Sequence, residues 1–302
     1  MPHIRPHHQK TVPKLKVSDQ SSLRAIVRII NDPLLGPAAL RSTVSIFRNF
    51  FLLQYWAALF PGRCKVSRAD HPLDEKIPFR PEKVRTYLDF IHFFIRVLGF
   101  LIDMGRQQGA AGRKAMEKIN GLIKSIGELY GYAAVVYKKN FSTTNRPRYL
   151  SKLKFLLIHT FDPHLMCIPS LHVMVVILAY TKFRAILTEL GIPPGPAGDA
   201  AEEVRMGALA ITEAVLYVKQ HSVNCIPAAM YAMTRFGSLF TAEEAESFAQ
   251  ELFKKTLCMD AETKTEIRNH ITGLYRKFLD QGNNTASWDE PLLEFLAALP
   301  RK

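Results

Sequence analysis

Apolar residues recur along most of the chain with the three- and four-residue spacing that is typical of helices. No stretch alternates between apolar and polar residues for long enough to predict a sheet. The helices predicted from this spacing cover approximately residues 21–31, 38–60, 81–107, 110–138, 149–160, 170–190, 200–224, 228–238, 242–258, 261–280 and 288–298. We therefore expect an all-α fold, built as a helical bundle.

The predicted helices divide the chain into three parts. Residues 1–20 are basic and contain prolines, so we expect a disordered tail there, and they lack the apolar run of a secretory signal. Residues 21–240 are expected to form the main helical domain, with residues 81–238 as the core that carries the candidate chemistry. Residues 241–302 predict amphipathic C-terminal helices without recognisable chemistry. The segment 61–80 is predicted to be a long polar loop, and the sequence assigns it no role.

Three apolar stretches resemble membrane spans but contain charged residues or are too short, namely residues 44–60, 87–102 and 171–180. A charge at bilayer depth costs about 2.5–3.5 kcal/mol on insertion scales, so we expect no transmembrane span and a cytoplasmic protein. A peripheral or partly embedded location is the alternative. It is favoured by a group of large apolar residues that would suit a membrane interface, Phe50, Phe51, Leu52 and Trp56.

The net charge of +13 is concentrated in the N-terminal half of the chain. Residues 1–160 contain 27 Lys and Arg against 10 Asp and Glu, whereas residues 161–302 contain 13 against 17. Such a surface attracts phosphorylated substrates, anionic lipid headgroups or nucleic acid. Nucleic acid is not expected as a partner because the sequence has no zinc-finger spacing, basic-zipper pattern or aromatic RNA-binding motif. The four cysteines are widely scattered, namely Cys64, Cys167, Cys225 and Cys258. They predict free thiols rather than disulfides or a zinc site, and no metal or cofactor is expected.

A first polar motif, KNFSTTNRP, runs from Lys139 to Pro147. Lys139 and Arg146 place two cations on a connection that Pro147 constrains. A guanidinium binds phosphate oxygens in pairs and an ammonium acts as a point charge, so the motif indicates phosphate binding. A solvated basic loop is the alternative interpretation.

A second motif, PSLH, predicts the start of a helix at Ser170. Ser170 can cap that helix, and the free N–H groups of a helix N-terminus favour an anion. His172 would lie in the first turn and face that anion. Alternatively, Ser170 is a simple cap and the histidine is incidental.

A third motif, KQHSVNC, runs from Lys219 to Cys225. His221 is predicted near the end of the helix over residues 200–224, which Pro227 should kink or break. On that helix Cys225 would lie four residues on and share a face with His221. A histidine hydrogen-bonded in the core is the alternative interpretation.

Together the three motifs resemble those of the phosphatidic acid phosphatase type 2/haloperoxidase superfamily, which are Lys-x6-Arg-Pro, Pro-Ser-x-His and Ser-Arg-x5-His-x3-Asp. The first two are met in full, and the PSLH form is similar to the branch that contains inositol phosphorylceramide synthases. The third is degenerate: His221 fits, but Ala214 and Val215 stand at the Ser-Arg pair and Cys225 at the aspartate. The resemblance covers roughly residues 139–240.

The resemblance implies a metal-independent phosphatase or phosphotransferase that acts on a phosphorylated substrate, with a lipid expected, through a phosphohistidine. It implies His221 as nucleophile, His172 as general acid, and Lys139, Arg146 and Ser170 as phosphate ligands. Cys225 or Asn224 would have to orient His221. Three alternatives stay open: a catalytically impaired relative that binds anions or an anionic membrane surface, a helical interaction protein, and a vanadate-dependent haloperoxidase.

Overall fold

Helices contain most of the residues that the computed structural model describes, which are 16–107, 112–147, 149, 153–191 and 196–302. The first half of the chain has α1 (Ser22–Asn31), α2 (Leu35–Ile46), a π-helical turn (Phe47–Leu52), α3 (Leu53–Leu59), β1 (Val66–Arg68), α4 (Leu73–Lys76), α5 (Val84–Leu88), α6 (Phe90–Gln107) and α7 (Gly112–Lys139). The second half has β2 (Phe141–Thr143), α8 (Leu153–Phe161), α9 (Leu171–Glu189), α10 (Pro196–Tyr217), α11 (Cys225–Phe236), α12 (Ala242–Glu251), α13 (Ala261–Asn283) and α14 (Glu290–Ala298). The prediction of an all-α protein is confirmed.

Helix α9 is the centre of the bundle. It packs against α6, α7, α10 and α11, and this explains why its sequence is apolar on every side. Among the described residues, only this helix is long and apolar enough to cross a membrane, and 72% of its most apolar stretch is buried against protein. A buried core helix accounts for that composition, and the prediction that the chain has no clear transmembrane span is supported.

Helices α2 and α7 run side by side in the same direction at close range. The Ser42 hydroxyl donates to the carbonyl of Ile123 at 2.7 Å, and the Ser45 hydroxyl donates to the carbonyl of Gly127 at 2.7 Å. A Cβ atom on Gly127 would lie 2.8 Å from the Cα atom of Ser42, so only glycine fits there. The π-helical turn continues α2 into α3, which makes residues 35–59 one continuous helical rod.

Two short parallel strands were not predicted. Strand β1 pairs with β2 in the register Val66 with Phe141, and each strand is three residues long. Three residues are too few for an alternating pattern to stand out from its surroundings. The strand β1 and the short helix α4 both lie in the segment 61–80, which the sequence predicted to be a loop.

Both ends of the described chain pack against the helical bundle. Most of the predicted N-terminal tail, residues 1–15, lies outside the described residues. The tail is wrongly predicted from residue 16 onward, because the amides of Val17 and Ser18 donate to the Glu203 carboxylate on α10 at 2.9 and 2.8 Å. At the other end, α13 packs against α11 and α14 packs against α7, so the C-terminal helices pack on the helices that carry the motifs.

Candidate functional site

The two motif histidines line the same cavity. It has a volume of about 90 Å³ and lies between the rod of residues 35–59, the start of α6 and the start of α9. We call it the imidazole pocket. The residues that line it are Ile46, Phe50, Phe51, Gln54, Phe90, Ile91, Tyr130, Asp162, His164, Met166, Cys167, Leu171, His172 and His221.

Ser170 links the second and third motifs. The rings of His172 and His221 lie 5.4 Å apart between centroids, and the Ser170 hydroxyl lies 3.4 Å from Nε2 of His221. Ser170 is the N-cap residue of α9, as predicted, but its side chain makes no capping bond. Its hydroxyl contacts His221 instead, and Ser170 itself is fully buried behind the residues that line the pocket.

The chain around His221 is a loop rather than a helix. Helix α10 ends at Tyr217, and the amides of Gln220 and His221 both donate to the carbonyl of Val215, at 3.1 and 3.2 Å. Cys225 is the first residue of the next helix, α11. The predicted helix over residues 200–224 is therefore too long, and the shared helical face of His221 and Cys225 is wrong.

Neither candidate for orienting His221 is in place to do so. The Asn224 amide donates to the carbonyl of Ala69 at 3.2 Å and its oxygen accepts from His270 at 2.8 Å. Cys225 is fully buried at the start of α11, where burial raises the pKa of its thiol. Within the described residues, Nδ1 of His221 is buried and makes no hydrogen bond of good geometry. Because Nε2 is already within 3.4 Å of the Ser170 hydroxyl, Nδ1 is the nitrogen left for a ligand or water.

The segment 61–80 holds the loop that carries His221. The carboxylate of Asp74 in α4 accepts from the amide of Val223 at 2.8 Å. The ammonium of Lys219 donates to the carbonyls of Asp74 and Ile77. Lys219 has a left-handed backbone conformation, with φ of 55°, which turns the chain between α10 and His221. A segment whose role was not predicted from the sequence therefore positions the third motif.

Strand β2 brings the first motif to the second. The Ser142 hydroxyl accepts from the amide of Ile168 at 2.7 Å, just before the PSLH motif, and the Ser142 amide donates to the carbonyl of Leu165 at 3.0 Å. Four residues after Ser142, the Arg146 guanidinium donates to the carbonyl of Asp162 at 2.8 Å. It also donates to the side-chain oxygen of Gln220 at 3.2 Å. Arg146 thereby joins the first and third motifs at the edge of the imidazole pocket.

Lys139 does not join the imidazoles. Its ammonium lies 2.5 Å from the Asp289 carboxylate, and its side chain is 54% exposed. It lines a different cavity of about 260 Å³, together with Lys65, Asn140 and Arg301. Lys139 is the last residue of α7, whereas Arg146 follows β2. Strand β2 therefore separates the two cations of the first motif, and only Arg146 reaches the edge of the pocket. The prediction that Lys139 is a phosphate ligand beside the histidines is therefore corrected.

Three further polar residues line the pocket, and the motifs did not identify them. His164 lies near Asp162, with 3.9 Å between Nδ1 and the carboxylate, and its Nε2 lies 2.8 Å from the Thr144 hydroxyl. Gln54 accepts from the amide of Leu165 at 3.1 Å, while its own NH₂ group is buried without a hydrogen bond to any described residue. The Asp-Pro-His sequence before PSLH was the available signal for His164. No sequence signal identified Gln54, because it lies on a helix far from the motifs along the chain.

The imidazoles of the pocket differ in their protonation. Burial lowers the pKa of His172 to about 4, and burial also lowers the pKa of His221 far below its usual range. Burial opposes a charge on His164 too, but Cys167 and the Asp162 carboxylate together raise its pKa to about 9. At neutral pH the lining of the pocket therefore contains two neutral imidazoles and one imidazolium.

No group of three His, Cys, Asp or Glu side chains within the described ranges has the arrangement of a metal site. The four cysteines are free thiols, as predicted. Comparison of the chain with protein-family models, curated proteins and solved structures found no match.

Proposed function

We propose that the protein is a phosphatase or phosphotransferase that acts on a phosphate monoester through a phosphohistidine, as the resemblance to the phosphatidic acid phosphatase type 2 superfamily implies. The observation that carries the proposal is that His172 and His221 line one buried pocket and that Ser170 contacts His221. These side chains come from motifs that are about fifty residues apart, and a hydroxyl lies 3.4 Å from the imidazole of the third motif.

His221 is the proposed nucleophile. Its neutral imidazole attacks phosphorus through one nitrogen lone pair, a P–N bond forms, and the P–O bond to the leaving group breaks. Water then attacks the phosphohistidine, releases phosphate and restores the imidazole. The low pKa of His221 favours the neutral form that this step needs.

His172 is the proposed general acid, and it must gain a proton before it can donate one. Its ring lies between Tyr87 and Phe90, with centroids 4.4 and 4.1 Å away, and this burial favours the neutral ring. A phosphate dianion in the pocket favours the protonated ring, because an opposite charge within a few ångströms raises the pKa of an imidazole. Protonation of His172 would accompany substrate binding and supply the proton to the leaving oxygen.

The proposed anion ligands differ from those that the sequence indicated. The His164 imidazolium and the buried NH₂ group of Gln54 line the pocket, and Ser170 adds a hydroxyl. Arg146 holds the Asp162 backbone and contributes positive potential from the edge. These groups stabilise the charge that develops on the phosphoryl oxygens, which is the main task of catalysis in this chemistry.

A lipid substrate is favoured by an apolar groove that adjoins the imidazole pocket. The groove has a volume of about 420 Å³ and lies between α1, α2, α6 and α7. It shares four lining residues with the pocket: Ile46, Phe90, Ile91 and Tyr130. A hydrocarbon chain in this groove would place an attached phosphate at the histidines.

Phosphate release tests the proposal. The purified full chain should hydrolyse p-nitrophenyl phosphate, or a phosphatidate in detergent micelles, and His221→Ala should abolish the release. Lys139→Ala serves as the matched control, since its side chain lies outside the pocket, and it should retain activity. Turnover that survives His221→Ala would exclude His221 as the nucleophile.

A catalytically impaired anion-binding protein is the second candidate. It is favoured by one observation: no carboxylate of the described residues contacts Nδ1 of His221. In a serine-protease triad, replacing the orienting aspartate lowers turnover by about 10⁴. For this candidate, orthovanadate or phosphate should raise the melting temperature while no turnover is detected.

A further inference from the structure

One side of the molecule carries a continuous set of exposed apolar side chains. On the rod of residues 35–59 they recur every three or four positions and form a stripe along the outer surface. The members of this stripe are Leu40, Val44, Phe47, Phe51, Tyr55 and Leu59, with Leu52 and Trp56 beside it. Large apolar side chains at this density are unusual on the surface of a protein that contacts only water.

The neighbouring helices extend the same surface. Helix α1 exposes Leu23, Val27 and Ile30 at helical spacing. Helix α8 exposes Leu153, Leu156, Leu157 and Phe161, and it meets the rod where the Tyr55 hydroxyl donates to the carbonyl of Phe161 at 3.0 Å. We call the exposed apolar residues of α1, the rod and α8 the apolar face.

The charges on the rod, on the start of the loop after it and on α8 have one sign. From residue 33 to residue 65 the sequence contains four cations and no carboxylate, and α8 adds a fifth cation and no carboxylate. All five are exposed, and within the part of the chain that the structure describes none forms an ion pair: Arg41, Arg48, Arg63, Lys65 and Lys154. The guanidinium of Arg63 lies 5.4 Å from the ring of Phe60, so charge and apolar surface are directly adjacent.

We infer that the apolar face docks on an anionic lipid bilayer, with the apolar stripe among the acyl chains and the five cations at the headgroups. Apolar side chains flanked by unpaired Lys and Arg are the pattern of a helix that lies in a membrane interface. The charge argues against a second copy of this chain, because two such faces would bring like-charged, unpaired cations together.

Docking in this orientation turns the imidazole pocket towards the membrane. Phe51 belongs to the apolar stripe and lines the pocket, and the exposed Ile91 lines both the pocket and the adjoining groove. A lipid would reach the histidines without crossing water. This last step rests on the proposed function, whereas docking itself does not.

Vesicle flotation of the full chain tests the docking. We expect binding to vesicles of phosphatidylcholine and phosphatidylglycerol in equal parts, and much weaker binding to phosphatidylcholine alone. Each cation near an anionic surface should contribute roughly fivefold to the partition coefficient. The triple variant Arg41→Gln, Arg48→Gln, Arg63→Gln should therefore bind at least about tenfold more weakly.

A matched triple variant in the C-terminal region, Lys254→Gln, Lys255→Gln, Lys277→Gln, changes the charge equally and should bind like the wild type. The apolar variant Phe47→Ser, Trp56→Ser, Leu59→Ser should also lose binding, while Leu257→Ser, at a fully exposed leucine elsewhere, should not. Equal loss in both charge variants would overturn the inference, as would a dimer in light scattering that the apolar variant dissociates.

Tryptophan fluorescence locates the contact, since the chain has two tryptophans, Trp56 and Trp288. In Trp288→Phe, vesicles with brominated acyl chains should quench Trp56. In Trp56→Phe, Trp288 should stay unquenched, because it is partly buried and does not belong to the apolar face. Quenching of Trp288 alone would contradict the orientation. His221→Ala should dock like the wild type, which separates this test from that of catalysis.

Discussion

The Nε2 atom of His270 lies 2.8 Å from the side-chain oxygen of Asn224, and this bond ties the C-terminal helix α13 to the loop that carries His221. Asn224 also donates to the carbonyl of Ala69, so its oxygen is the acceptor and Nε2 of His270 carries the hydrogen. The ring of His270 packs against the ring of His71 with a tilt of 31°, and their centroids lie 4.0 Å apart. The C-terminal helices thus support the candidate site.

Replacing His270 should loosen this support. We expect His270→Ala to lower the free energy of unfolding by about 1–2 kcal/mol, because it removes a partly buried hydrogen bond and a ring contact. Chemical denaturation measures the change. His270→Gln retains a donor and should recover part of the loss. Equal stability of the alanine variant and the wild type would show that α13 does not hold the loop.

A carboxylate placed at position 225 should increase neither stability nor phosphate release. Cys225 is fully buried in the first turn of α11, and His221 lies in the preceding loop. We expect Cys225→Asp to lower stability by about 3–5 kcal/mol, the range for an uncompensated buried charge. Phosphate release should stay at or below that of Cys225→Ser. A gain in turnover would mean that residue 225 reaches His221 during catalysis.

Stability should be greatest near neutral pH. Burial lowers the pKa of His172 and His270 to about 4, so below about pH 6.5 the unfolded chain binds protons that the folded chain does not, and stability falls as pH falls. The pKa of His164 is raised to about 9, so its contribution is full below about pH 6.5 and is lost as pH rises towards 9. Each unmatched proton changes the free energy of unfolding by about 1.4 kcal/mol per pH unit.

Urea denaturation across this pH range measures the profile. His164→Gln should flatten the alkaline side, because it removes the group with the raised pKa. Stability that keeps rising above pH 7 in the wild type would contradict the assigned charge of His164.

The contact between α2 and α7 should depend on Gly127. A Cβ atom there would lie 2.8 Å from the backbone of Ser42, so Gly127→Ala should destabilise the protein by about 1–3 kcal/mol. Gly121 lies on the same helix, and a Cβ atom on it would have no neighbouring atom within 4 Å, so Gly121→Ala should stabilise by up to about 1 kcal/mol. Thermal unfolding of the two variants gives the comparison. Similar shifts in both would indicate that the helices can separate slightly without cost.

The sequence predicted the helices well because their apolar spacing is local. The Thr241 cap is one example, since its hydroxyl accepts from the amide of Glu244 as the capping-box spacing predicts. Ser287 and Glu290 have the same spacing but form no such cap, because α14 begins after Asp289 rather than Ser287. There the Ser287 hydroxyl donates to the Asp289 carboxylate instead. A competing contact between near neighbours is enough to move a helix start.

The site was less predictable because tertiary contacts decide it. His172 and His221 share the pocket and Ser170 contacts His221, as their motifs indicated, whereas Lys139 pairs with Asp289, which is 150 residues away. His221 lies in a loop because the Asp74 carboxylate accepts from the amide of Val223, and because the amides of Gln220 and His221 turn back to the carbonyl of Val215. Gln54 enters the pocket from the rod, which no motif includes. Spacing along the chain carries no information about such distant partners.

Anion binding tests the single pocket most directly. In calorimetric titration with orthovanadate, we expect the wild type and Lys139→Ala to bind with similar affinity, while His172→Ala and His221→Ala bind at least about tenfold more weakly, since each removes a group that contacts the anion. Loss of binding in Lys139→Ala, or unchanged binding in both histidine variants, would contradict an oxyanion pocket formed by the two imidazoles.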